Sequence, residues 1–228
     1  MKIAGLQKLT LLDYPGKMAC IIFTKGCNFN CDYCQNSELI SLDGSDHIDE
    51  EELFTFLNKR KNILEGVVIT GGEPTIHKDL KDFIYKIKKL GYKVKLDTNG
   101  CNPSMLKELI EEKIIDYIAM DIKTTFDDYE TVIRKKINIE NIKESINLIK
   151  KSNIDYEFRT TIIKDIHSID KIINICKIVG SNKKLYLQNF EQSENVRNKS
   201  LKSFTKEELN NIQKMISGKY PNVIVRNL

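Results

Sequence analysis

Six short apolar runs, each followed by a turn and most by a longer helical stretch, constrain this fold more than any other feature. The runs are rich in Ile, Val, Phe and Tyr, which favour β-strands. We predict strands at Ala19–Thr24, Val67–Thr70, Lys93–Asp97, Asp116–Met120, Tyr156–Ile163 and Lys184–Asn189. Strands that alternate with helices predict an α/β fold of parallel strands with right-handed crossovers.

The helical stretches show apolar residues at helical spacing, which indicates core packing and nothing about function. Two such stripes lie within residues 80–90 and 142–149. Three helix starts are predicted from capping residues: Asn102 before Pro103, Ser168, and the pair Thr205 and Glu208.

Periodicity alone does not distinguish an open sheet from a barrel. Six strand–helix units are too few for a complete eight-stranded barrel, so any barrel must be partial. In both architectures ligands bind at the carboxyl ends of the strands. Residues with chemical roles are therefore expected just after each strand.

Length and composition predict one soluble domain. The chain has 228 residues, of which 41% are hydrophobic and 30% charged, which excludes a disulfide-stapled miniprotein. No run approaches the roughly 18 to 20 apolar residues of a membrane helix, and the first residues do not resemble a signal peptide. We therefore expect a cytoplasmic protein without membrane partners.

The charge distribution does not favour nucleic-acid binding. Lys and Arg number 36 against 32 Asp and Glu, a net charge of +4. The basic residues are scattered among acidic ones and form no basic patch, so we expect a solvated mixed surface without a nucleic-acid partner.

Three of the six cysteines, Cys27, Cys31 and Cys34, fall within eight residues directly after the first predicted strand. In a reducing compartment such a group indicates a metal or cluster site more than disulfides. Thiolates favour zinc or iron–sulfur clusters. Zinc would need a fourth ligand, and His47 and His77 are distant in sequence. Three cysteines on a 4Fe-4S cluster would leave one iron open to a small molecule.

Other polar motifs are expected at the ends of successive later strands. Taken alone, each is typical of a turn, a surface pair or a solvated side chain, but their recurrence favours a ligand site. They are Gly71-Gly72-Glu73, Asp97-Thr98-Asn99-Gly100, Asp121 with Lys123, and Arg159.

The cysteine spacing, with Asp32 and Tyr33 before the third cysteine, resembles the signature of the radical S-adenosylmethionine (SAM) superfamily. Gly71–Glu73 resembles the segment of that superfamily that holds the methionyl amino group. With Leu11–Gly16, Phe23–Cys27, Leu96–Gly100 and Asp121–Lys123, the chain is similar to activating enzymes of glycyl radical enzymes. The similarity is greatest to activators of anaerobic ribonucleoside-triphosphate reductase, less to pyruvate formate-lyase activators, and weaker after about residue 165.

This resemblance implies a partial (β/α)6 TIM-like barrel in one radical SAM domain, residues 1–228, with a core at about 18–190 and a C-terminal loop and helix at about 191–228. It implies one 4Fe-4S cluster held by Cys27, Cys31 and Cys34, with Tyr33 beside the SAM adenine. The other implied SAM-binding residues are Gly71, Gly72, Glu73, Asp97, Thr98, Asp121, Lys123 and Arg159.

The implied activity is that of a radical SAM oxidoreductase. A flavodoxin- or ferredoxin-type reductant would supply an electron through the cluster, SAM would yield methionine and a 5′-deoxyadenosyl radical, and a glycine of a partner glycyl radical enzyme would lose a hydrogen atom. A radical SAM enzyme acting on a small molecule or peptide, for example of the 7-deazaguanine type, is the alternative. A non-catalytic iron–sulfur or zinc protein would leave Gly71–Glu73 without a role.

The chain departs from some of these activators. It has no insert with eight further cysteines, so we expect the short, single-cluster form. Gln188 and Asn189 occupy the region where pyruvate formate-lyase activators have a histidine. The polar segment Glu191–Ser203 is expected to be an exposed loop near the barrel mouth that meets the partner, or else a solvated linker. Cys176 is expected in the core, whereas Cys20 and Cys101 have no assigned role.

Overall fold

The computed structural model describes residues 1–43 and 48–226, which contain eight strands and seven α-helices. The strands are β1 Ile3–Thr10, β2 Ala19–Thr24, β3 Gly66–Gly71, β4 Lys93–Thr98, β5 Tyr117–Asp121, β6 Asp155–Ile162, β7 Leu185–Asn189 and β8 Val223–Arg226. The helices are α1 Glu50–Arg60, α2 Leu80–Lys89, α3 Pro103–Glu111, α4 Tyr129–Ile133, α5 Ile139–Lys151, α6 Ile169–Val179 and α7 Lys206–Ser217.

The eight strands follow one another in sequence order within one sheet. β1 is antiparallel to β2, whereas β2–β3, β3–β4, β6–β7 and β7–β8 are parallel pairs. β1 and β8 are the two edge strands, and no pairing among the described residues closes the sheet. An open, mostly parallel sheet with crossover helices confirms the predicted α/β fold and its partial-barrel class.

All six predicted strands are confirmed with ends within one residue of the prediction. The two end strands were not predicted. Most of β1 is exposed or half-buried, and β8 has only four residues, so neither carries a strong apolar pattern.

The predicted helices and caps are also confirmed. The apolar stripes of α2 and α5 are buried. The Asn102 and Ser168 side chains accept hydrogen bonds from the first turns of α3 and α6. Thr205 and Glu208 form a reciprocal capping box at the start of α7.

The chain divides into two compact units. Unit 1 comprises Met1–Asn28, Glu38–Ala119 and Asn141–Asp155, and unit 2 comprises Phe29–Ser37, Met120–Glu140 and Tyr156–Leu228. The boundaries of the single domain expected above stay a prediction. None of the helices in the described ranges has the length and apolar character needed to cross a membrane.

Candidate active site

In unit 1 the Gly-Gly-Glu segment lies beside the residues that lead into Cys27. The Gly72 N–H donates to the Thr24 carbonyl at 2.8 Å, and the Glu73 N–H donates to the Gly26 carbonyl at 2.8 Å. A Cβ on Gly72 would lie 2.0 Å from the Gly26 oxygen, so this approach requires glycine. The strand ends thus hold this segment against the backbone just before the first cysteine.

Gly71, the last residue of β3, has a φ of 107°. A Cβ there would lie 2.5 Å from the Thr24 nitrogen, so a second glycine is required for the chain to turn out of the strand.

The Glu73 side chain is 1% exposed, and its carboxylate accepts hydrogen bonds from two neighbouring strand ends. Oε1 accepts from the Thr75 N–H at 3.0 Å, the Thr75 hydroxyl at 2.5 Å and the Thr98 hydroxyl at 2.8 Å. Oε2 accepts from the Asn99 N–H at 2.6 Å. Burial raises the pKa of Glu73 despite these donors. Glu73 therefore joins the end of β3 to the end of β4.

The loop after β4 is also tied to the residue that follows Cys27. The Asn99 amide donates to the Asn28 side-chain oxygen at 2.8 Å, and the Cys101 N–H donates to the Asn99 side-chain oxygen at 2.9 Å. Glu73, Asn99 and Asn28 therefore form a continuous hydrogen-bonded chain in unit 1.

Lys95 on β4 is a buried charged residue that our sequence analysis missed. It is 1% exposed, its Nζ lies 2.5 Å from Asp97 Oδ1, and the same atom lies 5.9 Å from the centre of the Tyr117 ring. Residues two apart on a strand share a face, so this spacing was the available signal. Lys95 fixes the orientation of Asp97, one of the predicted SAM-binding residues.

In unit 2 a cysteine loop, Phe29–Ser37, carries Cys31 and Cys34. The Cys34 N–H donates to the Cys31 carbonyl at 3.2 Å, which forms a tight turn between the two thiols. None of the six cysteines, all within the described ranges, forms a disulfide. Tyr33 is buried beside the Cys31 thiol, and burial raises the pKa of both groups.

Two free thiols in one turn, with Cys27 four residues earlier in the chain, fit an iron–sulfur cluster by the chemistry of the donor set. Neither unit gathers three Cys, His, Asp or Glu side chains at metal-binding distance among its described residues. The ligand set Cys27, Cys31 and Cys34 therefore stays a prediction.

Unit 2 also brings together three of the predicted SAM-binding residues. Asp121 Oδ1 lies 2.9 Å from Arg159 Nε, and Asp121 Oδ2 lies 2.9 Å from Lys123 Nζ. Burial alone would raise the pKa of Asp121, but the two cations outweigh it and hold that pKa well below its ordinary value. The trio has a net charge of +1, which suits an anionic ligand group. The expectation that Arg159 lies at a strand end is wrong, because β6 continues past it to Ile162.

The backbone of Lys123 is held by two residues that no motif pointed to. The Lys123 N–H donates to the Tyr129 hydroxyl at 3.2 Å, and His167 Nε2 lies 3.0 Å from the Lys123 carbonyl. The Ile163 N–H donates to His167 Nδ1 at 3.0 Å, so Nε2 carries the proton and the ring is neutral. The contact between His167 and Lys123 joins segments 44 residues apart in the chain, which a local sequence pattern does not reveal.

We expect His167→Ala to lower the free energy of unfolding by about 1–3 kcal/mol at pH 7.5, because the Ile163 N–H loses a buried acceptor. Burial holds the pKa of His167 below its ordinary value of about 6.5; Lys171 lowers it further and Asp128 opposes this. The unfolded chain therefore takes up this proton first, and His167 loses its stabilising contribution as the pH falls below about 6.5.

Urea unfolding of the reduced protein between pH 7.5 and 5.5 tests this expectation. The unmodified protein should lose more stability over this range than His167→Ala. Equal losses would show that His167 has the same pKa in the folded and the unfolded protein.

Several other residues named in the sequence analysis have structural surroundings away from the predicted cluster ligands. His77 Nε2 lies 2.9 Å from the Lys25 carbonyl, whereas His47 lies outside the described residues. Cys20 and Cys176 are fully buried, and burial raises their pKa to about 12 and about 11, as expected for core thiols. The Asn189 side chain exchanges hydrogen bonds of 2.9 and 3.0 Å with the Phe204 backbone.

The profile of the Radical SAM superfamily matches residues 21–177, which include Cys27, Cys31, Cys34 and Gly71–Glu73. The chain therefore belongs to the radical SAM superfamily and is an enzyme. Membership of this superfamily implies a 4Fe-4S cluster and SAM as cofactors.

One relative within the superfamily is MJ1227 of Methanocaldococcus jannaschii, provisionally named a glycyl-radical enzyme activating enzyme. The two sequences are 34% identical over 99% of this chain and 96% of the relative. It is also 28% identical over 86% of its length to a GTP 3′,8-cyclase of Helicobacter pylori, of which it covers only 61%.

Solved structures share the fold at low sequence identity. SuiB of Streptococcus suis bound to its precursor peptide SuiA superposes with a TM-score of 0.72 at 16% identity, over 91% of this chain and 48% of that one. A domain of pyruvate-formate lyase-activating enzyme from Bacteroides vulgatus gives 0.58 at 15% identity, over 70% and 98%. QueE from Escherichia coli gives 0.59 at 15% identity, over 99% and 93%.

Proposed function

We propose that this enzyme is an activase that uses SAM to generate a glycyl radical on a partner enzyme, an anaerobic ribonucleoside-triphosphate reductase. The observation that carries the proposal is the similarity to a glycyl-radical enzyme activating enzyme along nearly the whole of both chains. The choice of partner is supported by the set of segments that includes Leu11–Gly16 and Leu96–Gly100, since their overall resemblance is greatest to the reductase activators.

We assign the cluster to Cys27, Cys31 and Cys34, one cluster per chain. When bound, the cluster supplies the electron that cleaves the sulfonium of SAM. The tight turn between Cys31 and Cys34 keeps two thiols on one loop, and the hydrogen bond between Asn99 and Asn28 holds the chain next to Cys27.

We assign the methionyl amino group of SAM to Gly71–Glu73 and the adenine to Tyr33. Oε1 of Glu73 already accepts three hydrogen bonds, so an ammonium would meet Oε2 or the backbone of the segment. The remaining SAM contacts are assigned to Asp97, Thr98, Asp121, Lys123 and Arg159. The cationic pair around Asp121 offers donors for the SAM carboxylate.

The reductant is proposed to be a flavodoxin- or ferredoxin-type protein, because the cluster must receive one electron for each SAM cleaved. The residues of the enzyme then have three tasks: to orient SAM, to exclude water, and to present the target glycine. Because none of these tasks involves a membrane or a nucleic acid, we propose neither as a partner.

The activase function is tested by electron paramagnetic resonance under anaerobic conditions. The reconstituted enzyme, SAM and dithionite should produce a protein-based glycyl radical doublet on the anaerobic ribonucleoside-triphosphate reductase of the same genome, whereas each protein alone should give none. Replacing the target glycine of the reductase by alanine should abolish the doublet but leave binding of the two proteins intact.

The competing function is a radical SAM reaction on a small molecule or peptide. The similarity to a GTP 3′,8-cyclase covers less than two thirds of that protein, and the likeness to QueE shows the fold alone. Preparations that cleave SAM but form no radical on any glycyl radical enzyme of the same genome would favour this second function.

A further inference from the structure

Within unit 2, the polar segment after β7 lies against the cysteine loop. Residues 191–203 form neither helix nor strand, as predicted, and most are exposed. We call residues 190–198 the strap. Besides the contacts of Arg197 described below, three hydrogen bonds join it to the cysteine loop: Gln35 Nε2 donates to the Glu191 carbonyl at 3.1 Å, Ser37 Oγ to the Asn195 carbonyl at 2.5 Å, and the Asn198 N–H to the Asp32 carbonyl at 3.1 Å.

The strap is itself anchored. Phe190 and Val196 are fully buried, and the Lys199 ammonium donates to the Ser193 and Glu194 carbonyls at 3.0 and 2.7 Å. Although the strap has no regular secondary structure, it is held in place by its buried side chains and by hydrogen bonds from Lys199 to its carbonyls. A solvated linker would need none of these contacts.

Arg197 makes the most extensive contact between strap and cysteine loop. Its Nη1 donates to the Asn30 side-chain oxygen at 2.7 Å, and its Nη2 donates to the Asn30 carbonyl at 2.6 Å and the Cys31 carbonyl at 3.0 Å. Nη2 also lies 3.8 Å from Asp32 Oδ1. One guanidinium therefore binds the carbonyl of Cys31, a predicted cluster ligand, together with the carbonyl and the side chain of the preceding residue, Asn30.

The geometry of these contacts requires arginine. A guanidinium is a rigid plane with five N–H donors, whereas a lysine ammonium is a single charged point on a flexible stem. Lysine could keep the positive charge beside the cysteine loop, but it could not bind both carbonyls and the Asn30 side chain in one plane. Charge and geometry can thus be separated by substitution.

We propose that Arg197 is a positioning residue that orders the cysteine loop for cluster binding and that its charge favours the reduced cluster. The proposal rests on the proposed function in one respect, the assignment of Cys31 and Cys34 as cluster ligands. A cluster with three thiolate ligands gains negative charge on reduction, so a nearby cation stabilises the reduced form. Arg197 lies in the polar segment Glu191–Ser203 but was assigned no role of its own from the sequence.

The first test measures amide hydrogen exchange of the full-length protein without cluster, under reducing conditions. Arg197→Ala should accelerate exchange in residues 29–37 by roughly tenfold or more, since hydrogen bonds from a charged group are lost. Arg197→Lys should also accelerate it. Lys202→Ala, which removes one positive charge from the same exposed segment, is the matched control and should change nothing in residues 29–37.

The second test measures the reduction potential of the reconstituted cluster and the rate of iron release to a chelator. Arg197→Ala should give a more negative potential, whereas Arg197→Lys should stay near the unmodified value. Both variants should release iron faster than Lys202→Ala. Unchanged exchange in Arg197→Ala, or equal changes in Lys202→Ala, would overturn the positioning role, and an unchanged potential in Arg197→Ala would overturn the charge effect.

These tests are independent of the partner enzyme. Hydrogen exchange of the cluster-free protein reports on the loop even if no glycyl radical is ever formed. Conversely, a glycyl radical formed at the normal rate by Arg197→Ala, with normal exchange, would leave the activase function standing and remove the role of Arg197.

Discussion

Replacing Cys27, Cys31 or Cys34 by alanine is expected to abolish SAM cleavage. A 4Fe-4S cluster on three protein thiolates has no spare protein ligand, so the loss of one leaves a second iron unsupported. The anaerobically reconstituted enzyme should contain about four irons and four sulfides per chain. Each variant should lose most of this iron and form no detectable 5′-deoxyadenosine by chromatography.

Cys176→Ala is the matched control for these variants, because Cys176 is a fully buried core thiol in α6. It should retain the cluster and nearly all SAM cleavage, with at most a small loss of stability. Reconstitution that yields stoichiometric zinc and no iron would contradict the cluster assignment, as would normal SAM cleavage in any of the three cysteine variants.

Glu73→Ala is expected to weaken SAM binding by about ten- to a hundredfold, the equivalent of roughly 1.5–3 kcal/mol. Two effects act together. The carboxylate that we propose as an acceptor for the SAM ammonium is lost, and the Thr75, Thr98 and Asn99 donors lose their shared buried partner. Binding of SAM to the reconstituted enzyme, measured by equilibrium dialysis, gives the change in Kd, and the cluster content should be unchanged.

Thr75→Val separates the two effects. It removes the hydroxyl that donates to Glu73 at 2.5 Å but leaves the carboxylate in place. We expect a loss of stability of about 1 kcal/mol with little change in Kd. If Thr75→Val weakens SAM binding as much as Glu73→Ala does, Glu73 acts through the loop and does not meet the ligand. If Glu73→Ala binds SAM normally, Gly71–Glu73 is a structural turn only.

Much of this protein could be predicted from local sequence. Local preferences that act within a few residues account for the six predicted strands, for the caps at Asn102, Ser168 and Thr205, and for the buried faces of α2 and α5. The cysteine spacing and Gly71–Glu73 are also local, because each motif is complete within eight consecutive residues.

The tertiary structure decided what those local patterns left open. β1 and β8 gain their pairing from neighbouring strands, not from a strong apolar pattern of their own. Glu73, His167 and Arg197 hold together segments that are distant in the chain, through hydrogen bonds that depend on how the strands and loops meet. Sequence spacing determines which side chains share a strand or helix face, but only the folded chain determines which backbone carbonyl a distant side chain can reach.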